Sequence, residues 1–211
     1  MSIPEFRLFD FQTYNKDDVF PDGGDIKNFT IKMFGMNEER KTCCIHVNNF
    51  YPFLYVLIPK NWKSKEITNF KQYIRGELGE FYEKSLISVE KAKMEKLYGF
   101  NDHKKLSFLK LSFKNESAFN KVKKLWYTNH KNYKKTRLKK KGLLFEQTND
   151  YLFLYEATLP PLLRYFHVQN ISPSGWITFH SEPKKIKKKD KTTNCDYEFT
   201  TDYQNIKPLL E

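Results

Sequence analysis

Between residues 53 and 146, apolar patterns typical of strands and helices follow one another in an order that few folds share. FLYVLIP (53–59) has no polar alternation and predicts a strand covered on both faces. After Ser64 and after Asn115, apolar residues recur every three to four positions, as in amphipathic helices that these two residues could cap. The predicted elements are strand 53–59, helix 64–78 closed by Gly79, strand 85–94, strand 106–113, helix 116–127 and a further strand near residue 143. This β-α-β-β-α-β order is that of ferredoxin-like folds, which RNA-recognition modules also use.

The flanking segments predict more β structure. The predicted elements are strands at 6–14, 29–36 and 41–47, a turn at 20–25, helix, turn and helix over 143–168 around Pro160 and Pro161, and strand-like segments at 174–179 and 195–203. The short polar connection between 29–36 and 41–47 suits a hairpin. We therefore expect an α+β protein with mixed and antiparallel sheets. Its predicted parts are a β-rich lobe (1–52), a ferredoxin-like unit with a basic loop (53–146), and a helical and β segment (147–211).

The formal net charge of +12 is concentrated in two short segments. Residues 131–141 carry seven basic groups and no acid, and residues 184–191 carry six basic groups and one acid. Such blocks attract phosphate backbones without reading sequence, although a solvated lysine-rich loop is an equally good interpretation of a charge run alone. The candidate phosphate contacts are Lys134, Lys135, Arg137, Lys139, Lys140 and Lys141 in the first segment, and Lys184, Lys185, Lys187, Lys188 and Lys189 in the second.

The bulk composition predicts a folded, intracellular and soluble protein. Hydrophobic residues make up 39% and aromatic residues 17%, which is more apolar surface than a disordered chain leaves solvated. No apolar stretch approaches the roughly 18 residues needed to cross a bilayer, so no membrane partner is expected. Three cysteines do not form a disulfide framework and are typical of a reducing compartment.

Adjacent Cys43 and Cys44 with His46 raise the question of a metal site. On a strand, Cys43 faces one way while Cys44 and His46 face the other, so the two sulfurs diverge. Cys44 and His46 could begin a site, but it would need two more ligands, such as Cys195 and a distant His. Small buried residues and a satisfied or exposed histidine are the favoured interpretation, and no metal is expected.

The sequence offers no catalytic motif. The phosphate-binding G-x-x-x-x-G-K-S/T, the dinucleotide-binding G-x-G-x-x-G, H-E-x-x-H and G-x-S-x-G are all absent. We therefore predict no catalytic residue and no cofactor. The one further site prediction concerns Tyr55 and Phe108, which correspond in a recognition-module order to strand aromatics that stack bases. Core packing explains these rings more simply, and the glycine-bearing signature of such modules is missing.

Four segments, taken together, resemble the N-terminal domain of family B DNA polymerases, of the eukaryotic delta type and the type of large DNA viruses. They are FTIKMFGMNEERKTCCIHVNNFYPFLYVLIP (29–59), EKLYGFNDHKKLSFLKLSF (95–113), LLRYFHVQNISPSGWITF (162–179) and TNCDYEFTTDYQNIKPLLE (193–211). The first 25 residues are not covered with the same specificity. The F-D-I-E-like strand of the exonuclease and the polymerase motifs S-L-Y-P-S and D-T-D are absent, and Asn170 stands where relatives often have an acid.

The resemblance implies a non-catalytic scaffold that braces the exonuclease and polymerase domains and lies along the template. DNA, the remaining polymerase domains and replication accessory subunits would be its partners, with Mg²⁺ expected only in the parent polymerase. The implied location is the nucleus or a viral replication compartment. Two alternatives remain open at this point: a free-standing single-strand nucleic-acid-binding protein, and a small metal-dependent nuclease or transferase.

Overall fold

The computed structural model describes residues 3–19, 25–95, 105–128 and 137–209. In these residues the strands are β1 (Phe6–Val19), β2 (Asp25–Met36), β3 (Thr42–Asn48), β4 (Phe53–Leu57), β5 (Leu86–Met94), β6 (Leu106–Phe113), β7 (Tyr127–Thr128), β8 (Arg137–Leu138), β9 (Leu143–Phe145), β10 (Asp150–Tyr155), β11 (Trp176–Phe179), β12 (Lys184–Lys185), β13 (Tyr197–Asp202) and β14 (Ile206–Pro208). The helices are α1 (Ser64–Tyr82), α2 (Glu116–Lys123) and α3 (Pro161–Gln169). Short 3-10 turns occupy Glu83–Ser85, Lys124–Trp126, Lys188–Asp190 and Tyr203–Asn205.

The chain divides into two compact units. One unit joins both ends of the chain, Met1–Phe50 and Leu159–Glu211, and the other is the continuous stretch Tyr51–Thr158. The sequence-based division instead treated 147–211 as a segment of its own. The difference arises because β11, β13 and β14 pair with strands of the N-terminal lobe, whereas β10 pairs with β4. We call the two units the terminal unit and the central unit.

The central unit has the predicted ferredoxin-like arrangement. Its sheet runs β5-β6-β4-β10-β9, and the pairs in this sheet are antiparallel. Strand β6 lies between β4 and β5, as the β-α-β-β-α-β order requires, and β10 is the fourth strand beside β4. The strand expected near residue 143 is β9, which extends the sheet by one edge strand. The α+β fold class with mixed and antiparallel sheets is therefore confirmed.

The predicted helix in the first half of 143–168 is wrong. Leu143, Phe145 and Leu152 are buried while Leu144 and Tyr151 are exposed, an alternation with period two that suits a hairpin with one face on the core. The apolar run was too short to distinguish a helix from strands by periodicity. The second predicted helix is present as α3, which begins at Pro161, where a missing N–H has no cost.

Helix ends in the central unit depend on side chains close in sequence. Asn115 caps α2 as predicted, because its side chain accepts a hydrogen bond from the Ala118 N–H at 2.9 Å. The cap of α1 is Lys63 rather than Ser64, and the Glu66 carboxylate accepts a bond from the Lys63 N–H at 2.7 Å. Gly79, predicted to close the helix, has a non-helical backbone with φ +71 that interrupts α1 at a kink, and a further short helical stretch then runs to Tyr82.

The core of the central unit fills the space between one sheet face and the helices α1 and α2. Trp126 is fully buried, and its indole N–H donates to the Leu152 carbonyl at 2.9 Å. The other members of this core include Leu54, Val56, Phe70, Ile74, Leu78, Leu109, Leu111, Phe113, Phe119, Val122, Phe145 and Leu152. The apolar stripes predicted for both helices thus face the sheet.

The terminal unit contains a mixed sheet in the order β12-β13-β3-β2-β1-β11-β14. Strands β2 and β3 form the predicted antiparallel hairpin, and β13 pairs with β3 in parallel. The pairing of β1 with β2 shifts register between Leu8 and Asp10, which marks a bulge at Phe9. Most of the turn predicted at 20–25 lies outside the described residues. In the described part of the chain, no helix has the length and apolar character needed to cross a membrane.

Candidate nucleic-acid interface

The first basic segment is held at its base by backbone hydrogen bonds. Strands β7 and β8 form a two-stranded ribbon, and the Lys139 N–H donates to the Trp126 carbonyl at 2.8 Å. The Gly142 N–H then donates to the Lys139 carbonyl at 3.0 Å, which closes a turn over 139–142. The predicted contacts Lys134 and Lys135 lie outside the described residues.

Gly142 fixes this turn against strand β10. Its φ is +77, and a Cβ at this position would lie 2.3 Å from the Leu152 carbonyl oxygen. Only glycine fits such a close backbone approach in the left-handed region. The turn therefore projects Lys139, Lys140 and Lys141 from a defined place at the edge of the central sheet.

The second basic segment is an edge of the terminal sheet. Strand β12 pairs with β13, and the Ile186 N–H donates to the Glu198 carbonyl at 2.8 Å. Lys185 Nζ lies 5.1 Å from the ring centroid of Tyr197. All five predicted lysines of this segment are exposed: Lys184, Lys185, Lys187, Lys188 and Lys189.

The described cations of both segments are available to an anion. Arg137, Lys140 and Lys141 are exposed, and Lys139 is half-buried. Within residues 3–19, 25–95, 105–128 and 137–209, no carboxylate forms an ion pair with these four residues or with the five lysines of the second segment. A cation without a carboxylate partner can replace the counterions of a phosphate backbone at no cost in broken ion pairs.

A buried carboxylate anchors the end of the second segment. Glu198 on β13 is fully buried, and its two oxygens accept hydrogen bonds from the backbone N–H groups and the hydroxyls of Thr192 and Thr193. The hydroxyl contacts are both 2.8 Å. Because these threonines directly follow the lysine-rich stretch, the carboxylate holds that stretch against the sheet.

The same carboxylate is bonded to His46. The parallel register of β13 and β3 places Glu198 beside Cys44 and Thr200 beside His46 on one sheet face. His46 Nε2 lies 2.7 Å from Glu198 Oε1, and His46 Nδ1 lies 2.8 Å from the Tyr14 hydroxyl. An ionised carboxylate can only accept, so Nε2–H donates to Glu198, and in the neutral form of the ring Nδ1 accepts from the Tyr14 hydroxyl.

Burial and hydrogen bonding act in opposite directions on this group of residues. Burial alone would raise the pKa of Glu198, but the bonds from His46, Thr192 and Thr193 outweigh it and lower the pKa from 4.5 to about 2. Burial raises the pKa of the Cys44 thiol to about 12, and the charge on Glu198 adds to this rise. Glu198 is therefore ionised and Cys44 protonated at neutral pH.

The structure brings together three groups that could ligate a metal, of which the sequence indicated two. Single ligand atoms of Cys44, His46 and Glu198 lie within 4.8 Å of one another. Glu198 was missed, because 152 residues separate it from His46 and only the parallel pairing brings them together. The carboxylate oxygens already accept hydrogen bonds from His46 and from both threonines, so the contacts support an anchor for the 192–193 segment. The half-buried Cys195, suggested as a ligand, is not in this cluster.

The pH dependence of stability should reveal this anchor. Since the pKa of Glu198 is lower in the folded than in the unfolded chain, its stabilising contribution is complete above about pH 4.5 and is lost as the pH falls toward 2. We expect the difference in unfolding free energy between the wild type and Glu198→Gln to shrink by on the order of 2 to 3 kcal/mol between pH 7 and pH 2. Urea denaturation across this range measures it, and a constant difference would contradict the lowered pKa.

Tyr55 and Phe108 lie on the sheet face opposite the helices, but they are packed. Phe108 is only 3% exposed, and Tyr55 is half-buried with its ring edge-on to both Phe53 and Phe108, at 5.6 and 6.3 Å between centroids. Base stacking by these two residues stays a prediction. Among the described residues, Tyr151 and Phe153 of β10 are exposed rings on this face, which sequence reasoning missed because it assigned that segment to a helix.

Comparisons of sequence relate the chain to DNA polymerases. It is 39% identical to the DNA polymerase of Phaeocystis pouchetii virus and 28% identical to that of Acanthamoeba polyphaga mimivirus, over 96% and 97% of this chain. It is 24% identical to the DNA polymerase delta catalytic subunit of Plasmodium falciparum over 85% of this chain. The chain spans only 20%, 11% and 16% of these relatives. No protein-family model matches it.

A comparison of structures relates the fold to that of a DNA polymerase as well. The family B DNA polymerase of the archaeon Pyrobaculum calidifontis matches 93% of this chain and 20% of its own chain, with a TM-score of 0.55 and 14% identity. The likeness in fold and the sequence relatives agree with the resemblance found in the four segments. The chain belongs to the family B DNA polymerases of the large DNA virus and delta type, as their N-terminal domain.

Proposed function

We propose that this domain is a non-catalytic scaffold of a replicative DNA polymerase, which braces the exonuclease and polymerase domains and holds the backbone of template DNA through its two basic segments. The observation that carries the proposal is that exposed cations without carboxylate partners stand on segments tied to the sheets by hydrogen bonds. In this proposal the Mg²⁺ chemistry belongs to other parts of the polymerase.

Contacts of this kind would position the strand without reading its sequence. Lysine ammonium groups meet phosphate oxygens as point charges, and phosphates carry no sequence information. The affinity would come from counterion release and would fall steeply as salt is added. We therefore expect similar affinities for single strands of different base composition at a fixed ionic strength.

A triple substitution tests the second segment. In Lys187→Gln, Lys188→Gln, Lys189→Gln, binding of a labelled single-stranded DNA should weaken by about tenfold or more at low salt. The slope of log K against log salt should become shallower by about 2, which corresponds to roughly 0.7 for each lost phosphate contact. Fluorescence anisotropy at several salt concentrations measures both quantities.

The matched control removes the same charge from elsewhere. Lys60→Gln, Lys65→Gln, Lys93→Gln changes three exposed lysines outside both segments. It should leave the slope close to that of the wild type, because contacts rather than net charge set the number of ions released. Equal losses of DNA affinity and of salt slope in the two triple variants would show that only the overall charge matters. They would overturn the assignment of the second basic segment as a phosphate contact.

A further inference from the structure

We propose that Tyr151 and Phe153 form a base-stacking platform for single-stranded DNA, with the adjacent turn 139–142 holding its phosphates. This inference rests on the proposed function and deepens it. It assigns a site to the bases of the DNA in addition to the sites proposed for its phosphate backbone. Base–aromatic stacking beside a cationic groove is the usual way in which proteins bind single strands without sequence preference.

The two rings project from the same face of the same strand. Residues 151 and 153 alternate with the buried Leu152, so their side chains stand about 7 Å apart along β10. Tyr151 is 48% exposed and Phe153 is 39% exposed. The register pairs Phe153 with Leu57 and Leu57 with Phe108, which places the platform on the sheet face opposite the helices.

Within the described part of the chain, both rings lack aromatic partners, unlike the rings at the centre of the sheet. Tyr55 lies edge-on to both Phe53 and Phe108, and Lys110 Nζ lies 4.2 Å from the ring centroid of Phe53. Neither Tyr151 nor Phe153 has a ring contact among the residues that the structure describes. Among the described residues of this sheet, Tyr151 and Phe153 are therefore exposed rings with room for a base beside them.

The basic turn lies against this platform. A Cβ on Gly142 would be 3.4 Å from Cδ1 of the Phe153 ring, so the backbone of the turn that carries Lys139, Lys140 and Lys141 is next to the ring. Exposed rings alone would be equally suited to contact with an apolar surface of another protein. Cations without carboxylate partners beside them favour a ligand that combines flat apolar faces with negative charge, which describes a single-stranded nucleic acid.

Substitution of the rings gives the direct test. The probe is a labelled oligo-dT of about 16 nucleotides, a length at the upper end of the range that one small single-strand-binding domain covers. Its affinity for the full 211-residue chain should weaken about 5- to 150-fold in Tyr151→Ala and in Phe153→Ala. Tyr151→Phe and Phe153→Tyr keep a ring and should bind within about twofold of the wild type. Phe81→Ala removes a ring that is 72% exposed on α1 and should have no effect.

An abasic oligonucleotide of the same length separates stacking from every indirect effect. It keeps the phosphates and lacks the bases, so Phe153→Ala should bind it as well as the wild type does. Thermal unfolding midpoints of all variants should match, since the substituted rings are exposed. If the wild type binds oligo-dT but loss of the rings changes nothing, or if the variants lose the abasic strand equally, the platform is wrong while the backbone-binding proposal stands. If the wild type binds neither strand at low salt, both proposals fail.

Discussion

Replacing Glu198 by Ala should lower the free energy of unfolding by about 3 to 5 kcal/mol, because several hydrogen bonds to one buried carboxylate, each worth roughly 1.5 to 3 kcal/mol, are lost together. The substitution takes an acceptor away from His46 and from both threonines, while the imidazole stays buried at 7% exposure. The buried His46 N–H then carries its full desolvation penalty, whereas Thr192 is exposed and Thr193 half-buried, so that their donors can turn to water. Urea denaturation at pH 7 measures the loss.

The same substitution should release the second basic segment locally. The N–H groups of Thr192 and Thr193 donate to the carboxylate in the native structure, so their hydrogen exchange should accelerate more than that of the β2–β3 hairpin. Glu39→Ala, at an exposed position in the turn of that hairpin, is the control and should stay within about 0.5 kcal/mol of the wild type. An unchanged denaturation midpoint in Glu198→Ala would show that the carboxylate is not an anchor.

Gly142→Ala should destabilise the domain by about 2 to 4 kcal/mol, through strain in the left-handed region and through overpacking. The added Cβ would meet the Leu152 carbonyl oxygen at 2.3 Å, and backbone atoms of a paired strand cannot move away without breaking the β9–β10 ladder. The turn with its three lysines would have to shift, so DNA affinity should fall as well. Thermal unfolding and anisotropy measure the two effects.

Gly76→Ala, in the same unit, should change the stability in the opposite direction. Gly76 lies inside α1, and a Cβ there would have nothing within 4 Å. Alanine has the higher helix propensity, so this variant should be more stable than the wild type by about 0.5 to 1 kcal/mol. If both glycine variants gave the same small change, the close approach at Gly142 would not exist.

Local patterns were enough to predict the parts of the fold that depend on neighbours in sequence. The period of 3.6 residues located α1 and α2, the side chain of Asn115 located the start of α2, and the polar turn between residues 36 and 41 located the β2–β3 hairpin. The order of these elements was sufficient to predict the ferredoxin-like sheet. Each of these features is set within a few residues along the chain.

The parts that depend on distant pairing could not be predicted in the same way. Nothing near Glu198 shows that β13 will pair in parallel with β3, so its bonds to His46 and to the threonines were invisible in the sequence. The run 143–155 is apolar enough to suit either structure, and only its pairing with β4 makes it a hairpin. The exposed rings of β10 were overlooked for that reason.

The salt dependence of DNA binding by the wild-type chain tests the central claim most directly. If the two basic segments hold a phosphate backbone through six or more contacts, a plot of log K against log salt for a single-stranded DNA should have a slope steeper than about −4. Measurable affinity that does not change between low and high salt, or no binding even at low salt, would contradict the claim.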